Sequence, residues 1–355
     1  MSTTVVLVAI LVISVGAGYF YLNSHYAVQT SSAASSATTS RPAGGPLILY
    51  VADAYSLEGE TLLSGFSNQT GVQTAPPKAA GSFVLAQQIA QGNPVSVFIS
   101  VSKTAVQPQY LGNQSSGWAI GFAGDQMTIA YTDATNQSGS AKDAFSDYER
   151  ASKSNATKDW NAFFRDVTSG SLRVGISDPN ADPAGFRGWI VLEAAGSAYA
   201  NDSSFFTKRM LSNAGNVTGS SAANLIAPLQ AGQIQLLLIY KSAAISHALN
   251  YLALPDATNL GDQTRGSYYS RFTYALKTSV QKGAPIVLYI TVPRGSTEYI
   301  DAVKFTVYTV TNAPILLKSY GLSVFSKPKL YNTTAVPGPI GQLVVSGYIS
   351  YGGTL

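Results

Sequence analysis

The chain has 355 residues, of which 46% are hydrophobic, 11% are charged and none is cysteine, and its formal net charge is +4. This length and apolar content predict a substantial core in two folded parts, and the absence of cysteine excludes thiol catalysis, thiolate metal sites and disulfides. With two histidines, the chain has few side chains that could form a zinc site or a serine–histidine pair. Because it has no dense Lys/Arg run, its charge does not indicate a nucleic-acid partner.

The amino-terminal segment is the most apolar part of the chain. Residues 5–22 form an uncharged run of the length that spans a bilayer, and no charged residue precedes Arg41. We predict that residues 1–28 form a hydrophobic helix that anchors the body outside the cell membrane. Two alternatives stay open: a cleaved signal peptide ending near Ala27, and a helix packed in a filament core, as in archaeal pilin-like proteins.

Residues 29–46 are rich in Ser, Thr and Ala and end in Pro and Gly, a composition that predicts a flexible stalk. Sequons of the Asn-x-Ser/Thr type follow outside the strongly apolar runs, and they predict a glycosylated, extracellular body. The sequon asparagines are Asn68, Asn113, Asn136, Asn155, Asn201, Asn216 and Asn332.

The body alternates strand and helix patterns, which indicates an α/β fold of βαβ units with parallel sheets. Apolar runs without two-residue alternation predict buried strands at 47–51, 95–101, 127–131, 172–176, 234–240 and 286–292. Helical patterns cover 57–66, 83–91, 141–167, 185–200, 222–230, 242–251, 297–308 and 313–320. Ligands of such sheets bind beyond the carboxyl ends of the strands.

The loop between the fourth predicted strand and its helix reads I-S-D-P-N-A-D-P-A-G-F-R-G-W over residues 176–189. Pro179 and Pro183 exclude a helix through its middle, and Asp182 stands at the capping position before the helix. A helix amino terminus aimed out of a sheet favours an anion. By itself, the pattern also fits an ordinary strand-to-helix turn.

Small hydroxyls occur at or near several predicted helix starts, at Ser56, Ser82, Ser102 and Ser242. Each one alone is explained by helix capping. If these loops converge at one end of the sheets, however, their hydroxyls and backbone N–H groups would bind an oxyanion without a counter-charge.

Five segments, in matching order, resemble archaeal molybdate/tungstate-binding proteins of ABC importers. The central segment, S-D-P-N-A-D-P-A-G-F-R at 177–187, resembles that family's S-N-P-N-D-D-P-x-G-[YF]-R. The others are A-G-S at 80–82, G-F-A with I-A-Y-T-D at 121–133, L-Q-A-G-Q with Y-K-S at 229–242, and G-A-P-I-V with I-T-V-P at 283–293. The resemblance covers about residues 47–330.

The resemblance implies a two-lobed, periplasmic-binding-protein-like fold of type II, with the ligand in the interlobe cleft. It places the first lobe at 47–118, the second at 119–285, a return to the first at 286–330 and a tail at 331–355. The implied ligand contacts are Ser56, Ser82, the backbone at Val101, Asp182 and the Tyr240 hydroxyl. It implies no catalytic residue, no metal site and no cofactor.

Three positions depart from the resembled family, which carries acidic residues where this chain has Ile239, Ser96 and Ser102. Isoleucine cannot coordinate a metal centre, so a six-coordinate tungstate is not expected here. A lone Asp182 carboxylate would repel a dianion, or it could instead turn away and cap its helix. We therefore expect neutral donors to hold a tetrahedral oxyanion.

Two functional hypotheses follow. The first is an anchored extracellular solute-binding protein that passes molybdate, tungstate or sulfate to an ABC permease. The alternative is a self-assembling, filament-like surface protein with a degenerate cleft, motivated by the missing acids, the pilin-like amino terminus and a β-prone tail at 343–351. An enzyme is not expected. The sparse charge further predicts little stability tied to carboxylate ionisation, which would suit an acidic exterior.

Overall fold

The computed structural model describes residues 44–355, and Gly45–Leu355 form one compact unit around an apolar core. The predicted anchor at residues 1–28 and most of the predicted stalk at residues 29–46 lie outside the described residues. Within residues 44–355, no helix combines the length and apolar character that crossing a membrane requires.

Two mixed sheets and a hairpin organise the described residues. The strands are β1 (Leu49–Ala52), β2 (Lys78–Ala80), β3 (Val97–Ser100), β4 (Trp118–Asp125), β5 (Met127–Tyr131), β6 (Val174–Gly175), β7 (Asn216–Val217), β8 (Leu236–Tyr240), β9 (Asn250–Ala253), β10 (Thr273–Ala275), β11 (Val280–Lys282), β12 (Ile286–Thr291), β13 (Ser323–Asn332) and β14 (Ser350–Gly353).

The larger sheet has the strand order β14-β13-β4-β12-β3-β1-β2, and the smaller sheet has the order β7-β6-β8-β5-β9. We call the parts built on them the larger and the smaller lobe. The expectation of parallel sheets is wrong in part, because β12 runs antiparallel to β3 and β4, and β5 runs antiparallel to β8 and β9. The chain passes from β4 in the larger sheet to β5 in the smaller sheet through one residue, Gln126.

The helices are α1 (Ser56–Thr70), α2 (Ser82–Ala90), α3 (Pro108–Leu111), α4 (Asp133–Asn136), α5 (Lys142–Ser154), α6 (Thr157–Val167), α7 (Pro183–Tyr199), α8 (Phe205–Leu211), α9 (Ile226–Gln230), α10 (Lys241–Ser246), α11 (Gly266–Tyr269), α12 (Tyr299–Leu316) and α13 (Gly338–Val345). The pattern over 141–167 divides in two because Asn155 adopts a left-handed conformation, with φ of 50°. The two helices expected at 297–308 and 313–320 are largely one, since α12 continues through Pro314. The helix expected at 242–251 ends at Ser246, and β9 follows.

The lobe boundary falls later in the chain than residue 118. Strand β4 lies inside the larger sheet, between β13 and β12, and the crossing to the smaller sheet takes place at Gln126. Neither β4 nor β13 was predicted as a strand, since none of the predicted apolar runs covers its residues.

The tail does not form the continuous β-prone segment expected at 343–351. Its first part is helix α13, which begins with Pro339 in its first turn and buries Ile340 and Leu343 on one face. Only β14 adds a strand, and it pairs in parallel with β13 of the same chain. The tail strand therefore completes the chain's own sheet.

Candidate functional site

Loops that follow β1, β6 and β8 meet where the two lobes face each other. The Tyr55 ring of the larger lobe stacks on the Tyr240 ring of the smaller lobe, with centroids 5.5 Å apart. A Cβ added to Gly81 would lie 2.3 Å from the Ala181 carbonyl oxygen. The lobes are therefore in direct contact, and the cleft between them is closed.

Arg187 occupies the centre of this contact. Its guanidinium donates from Nη1 to the Tyr240 hydroxyl at 2.7 Å and from Nη2 to the Val101 carbonyl at 2.7 Å. The residue is 6% exposed, and no carboxylate within residues 44–355 lies within 4.0 Å of it. The Asp182 carboxyl offsets this charge in part, since Arg187 lowers its pKa. A buried cation without a carboxylate in direct contact still favours a bound anion.

Ser82 and Val101 add neutral groups beside the guanidinium. Ser82 opens α2 and is fully buried, and its Oγ accepts a hydrogen bond from the Val101 N–H at 3.3 Å. Val101 follows β3 and is also fully buried. The structure thus brings Ser82, Val101 and Tyr240 together, as the sequence predicted, around a guanidinium that was not among the predicted contacts.

Asp182 has a capping role in this conformation. Its Oδ1 accepts from the Ala184 N–H at 3.1 Å, and its Oδ2 accepts from the Ala222 N–H at 2.8 Å. Burial raises the pKa of its carboxyl. These two hydrogen bonds, a hydrogen bond from the Ser177 side chain and the nearby Arg187 charge partly oppose the rise. Of the two orientations considered for Asp182, capping of α7 is the one observed. Ser56, the first residue of α1, is only half-buried.

Sequence reasoning missed two carboxyls at this site. Asp53, just after β1, is buried, and burial together with the nearby Asp182 carboxylate raises its pKa to about 7. Asp125, at the crossing between the lobes, accepts hydrogen bonds from the Tyr55 hydroxyl at 3.1 Å and from the Ser242 hydroxyl. Burial raises the pKa of Asp125 to about 6. Asp125 thus joins a group from each lobe at the hinge.

Arg187 could have been identified from the sequence. Helix α7 is almost entirely buried over its first turns, and Arg187 and Glu193 are its only charged residues. A single cation early in an apolar helix is a signal for a buried polar contact. The family-like segment ended in this arginine, but it was not assigned a role.

The three departures from the resembled family have different surroundings. Ser96 lies at the opposite end of β3 from Val101, where its Oγ accepts from the Ile48 N–H at 2.9 Å. The Ser102 N–H donates to Ser100 Oγ at 3.0 Å, which shapes the loop after β3. Ile239 is fully buried in β8 next to Tyr240.

The sequon asparagines differ in exposure. Asn216 and Asn332 are half-buried, and the Asn332 Nδ2 donates to the Thr334 carbonyl at 2.9 Å. The exposed ones are Asn68, Asn113, Asn136, Asn155 and Asn201.

Known proteins resemble this chain in sequence and in fold. An uncharacterized solute-binding protein of Sulfurisphaera tokodaii is 36% identical over 318 residues, which cover 87% of this chain and 83% of the relative. The molybdate/tungstate-binding protein WtpA of Thermococcus kodakarensis is 25% identical over 248 residues, which cover 64% of this chain and 66% of that protein.

Two solved structures show the same fold at low sequence identity. The sulfate-binding protein SubI of Mycobacterium tuberculosis superposes with a TM-score of 0.55 at 12% identity, covering 86% of this chain and 93% of SubI. The periplasmic molybdate-binding protein of Azotobacter vinelandii superposes with a TM-score of 0.52 at 17% identity, covering 79% and 99%. The profile of the bacterial extracellular solute-binding proteins matches residues 48–314, and the chain therefore belongs to that family.

Proposed function

We propose that this chain captures a tetrahedral oxyanion of the molybdate, tungstate or sulfate class outside the cell and delivers it to an ABC permease. The single observation that carries the proposal is the Arg187 guanidinium, buried between the lobes without a paired carboxylate. Members of this family are components of transport rather than enzymes. The proposal accordingly gives the site a role in binding alone.

The proposed contacts combine one charge with neutral donors. Arg187 supplies charge-assisted hydrogen bonds, each worth about 1.5–3 kcal/mol. Ser82 and Tyr240 add hydroxyls. The sequence predicted that neutral donors alone would hold the anion, whereas this set also includes the Arg187 guanidinium. Asp182 serves the site as a helix cap that holds the loop in place.

The nearby carboxyls make capture most favourable when they are neutral. Burial raises the pKa of both Asp53 and Asp182, and a protonated carboxyl does not repel an anion. At acidic pH the site therefore presents the positive charge of Arg187 with little opposing charge. The binding cycle is closure of the lobes about the Asp125 hinge when the anion enters, and opening when it leaves.

The names of related proteins support the choice of ligand class. WtpA is named for molybdate and tungstate, and the two superposed structures are named for sulfate and molybdate. Anchoring through residues 1–28 and glycosylation stay predictions. The tail strand, one of the three features that motivated the filament alternative, pairs within the chain.

Isothermal titration of the full-length chain with sodium molybdate, tungstate and sulfate at about pH 7, where all three are tetrahedral monomers, tests the proposal. We expect saturable binding of at least one anion, weakened about ten- to a hundredfold by Arg187→Gln. Arg173→Gln removes the same charge from an exposed position of the smaller lobe and serves as the matched control. Absence of binding for all three anions, or equal loss in both variants, would overturn the proposal.

A further inference from the structure

A second cavity, separate from the proposed oxyanion contacts, lies in the smaller lobe. It measures about 530 Å³ and is bounded by residues 176–180 of the strand-to-helix loop, residues 216–220 and Tyr274 of the β10–β11 hairpin. Neither Arg187 nor Tyr240 lines it. Its volume is in the range of sites that hold small organic molecules.

Asp178 provides the only charged side chain in this wall. Its Oδ1 accepts from the Asn180 backbone N–H at 2.9 Å and from the Asn180 Nδ2 at 3.2 Å. Its other oxygen bonds to no described residue. The cavity therefore has a carboxylate oxygen available for a donor, and no cation among the lining residues competes for it.

Two aromatic rings form the apolar part of the wall. The Trp189 and Tyr274 rings stack with centroids 6.3 Å apart and an interplanar angle of 24°. Their faces carry the negative side of the ring quadrupole, which attracts cations, and their edges offer contact to methylene groups. Aromatic faces beside a carboxylate favour a positively charged organic molecule.

We propose that this cavity binds a small organic cation that carries a primary ammonium group on a short alkyl chain. The ammonium donates to the free carboxylate oxygen of Asp178, and the alkyl chain packs on Trp189 and Tyr274. A neutral polyol could donate to Asp178 but would leave the carboxylate charge unpaired. Because Asp178 belongs to the loop that holds Asp182, an occupied cavity would also restrain that loop.

Isothermal titration of the full-length chain with 1,4-diaminobutane tests this site, and 1,4-butanediol and glucose serve as neutral probes. We expect saturable binding of the diamine and none of the neutral probes. Asp178→Asn should weaken the diamine about tenfold or more, because it removes a charge-assisted hydrogen bond but keeps the Oδ1 acceptor. Glu149→Gln makes the same charge change on an exposed helix and should have no effect.

A second variant covers the case in which Asp178→Asn disturbs the loop. Tyr274→Ala removes one aromatic ring from the half-buried hairpin position and should also weaken diamine binding. Equal binding of the diamine by wild type and both variants would overturn the proposal. So would saturable binding of glucose without the diamine, or no binding of any probe. These outcomes are independent of oxyanion binding, which the first titration measures separately.

Discussion

Gly81 offers a direct test of closure between the lobes, because its backbone tolerates a side chain while its surroundings do not. Its φ of −56° and ψ of 139° suit alanine without strain. A Cβ at this position would, however, lie 2.3 Å from the Ala181 carbonyl oxygen and 3.1 Å from the Asp182 Cα. Gly81→Ala should therefore act on the contact between the lobes rather than on either lobe's own fold.

The expected loss of oxyanion affinity follows from the overlap between the added Cβ and the Ala181 carbonyl oxygen. Ordinary contact begins at 3.4 Å, so the loops around Gly81 and Ala181 must separate by about 1 Å. Overpacking of this kind costs about 1–3 kcal/mol. Since the cost falls on the closed form, it should appear as a five- to 150-fold loss of oxyanion affinity, at about 1.4 kcal/mol for each factor of ten.

Titration and small-angle X-ray scattering, each with and without oxyanion, measure the two consequences. We expect Gly81→Ala to bind more weakly and to contract less than wild type on ligand addition. Gly139→Ala is the matched control, because nothing lies within 4 Å of a Cβ placed there. If Gly81→Ala binds and contracts as wild type does, the closed contact described here is not the ligand-bound state.

Three further predictions concern stability. Burial raises the pKa of Asp53 to about 7 and of Glu58 to about 8. Over this range the folded state keeps protons that the unfolded state has lost. The free energy of unfolding should therefore be greatest below about pH 4 and should fall as the pH rises towards 8. Urea unfolding across this range measures it, and a rise in stability would contradict the reasoning. Glu58→Gln should flatten this dependence, because the amide cannot ionise in a site where burial disfavours the charged carboxylate; an unchanged pH profile would exclude Glu58 as a contributor. Gly185→Ala should lower the free energy of unfolding by about 3 kcal/mol, since its Cβ would lie 2.2 Å from the Ser177 carbonyl oxygen; a thermal midpoint equal to that of wild type would contradict the close contact.

The pH prediction refines what composition alone had indicated. Few charges suggested that little stability depends on carboxylate ionisation. The structure instead buries Asp53, Glu58 and Asp125 with raised pKa values. Stability should therefore depend on ionisation, and the direction still favours an acidic exterior. Composition counts charges, whereas burial determines how far each pKa moves.

Local patterns were sufficient for the long helices and for six of the fourteen strands among the described residues. Residues 127–131 are predicted as a strand and form β5 with the same bounds, because a run that is apolar except for Thr128 fits a strand buried on both faces. The cap at Asp182 followed from its place before Pro183. The prediction for the tail is wrong in part. The alternating apolar residues at 343–351 favoured a strand, but the Pro-Gly-Pro segment before them starts helix α13.

The sequence by itself determined the α/β class, because that depends on residues close together in the chain. The family resemblance predicted the two lobes and the groups Ser82, Val101 and Tyr240, whose contact with a ligand stays a prediction. Only the tertiary structure decided that strands run in both directions, that β4 belongs to the larger sheet and that Arg187 lies between the lobes. The contact from Arg187 to Val101 joins residues 86 positions apart. Whether such a guanidinium meets a carbonyl, a carboxylate or solvent depends on how the two sheets pack, and no local pattern records that packing.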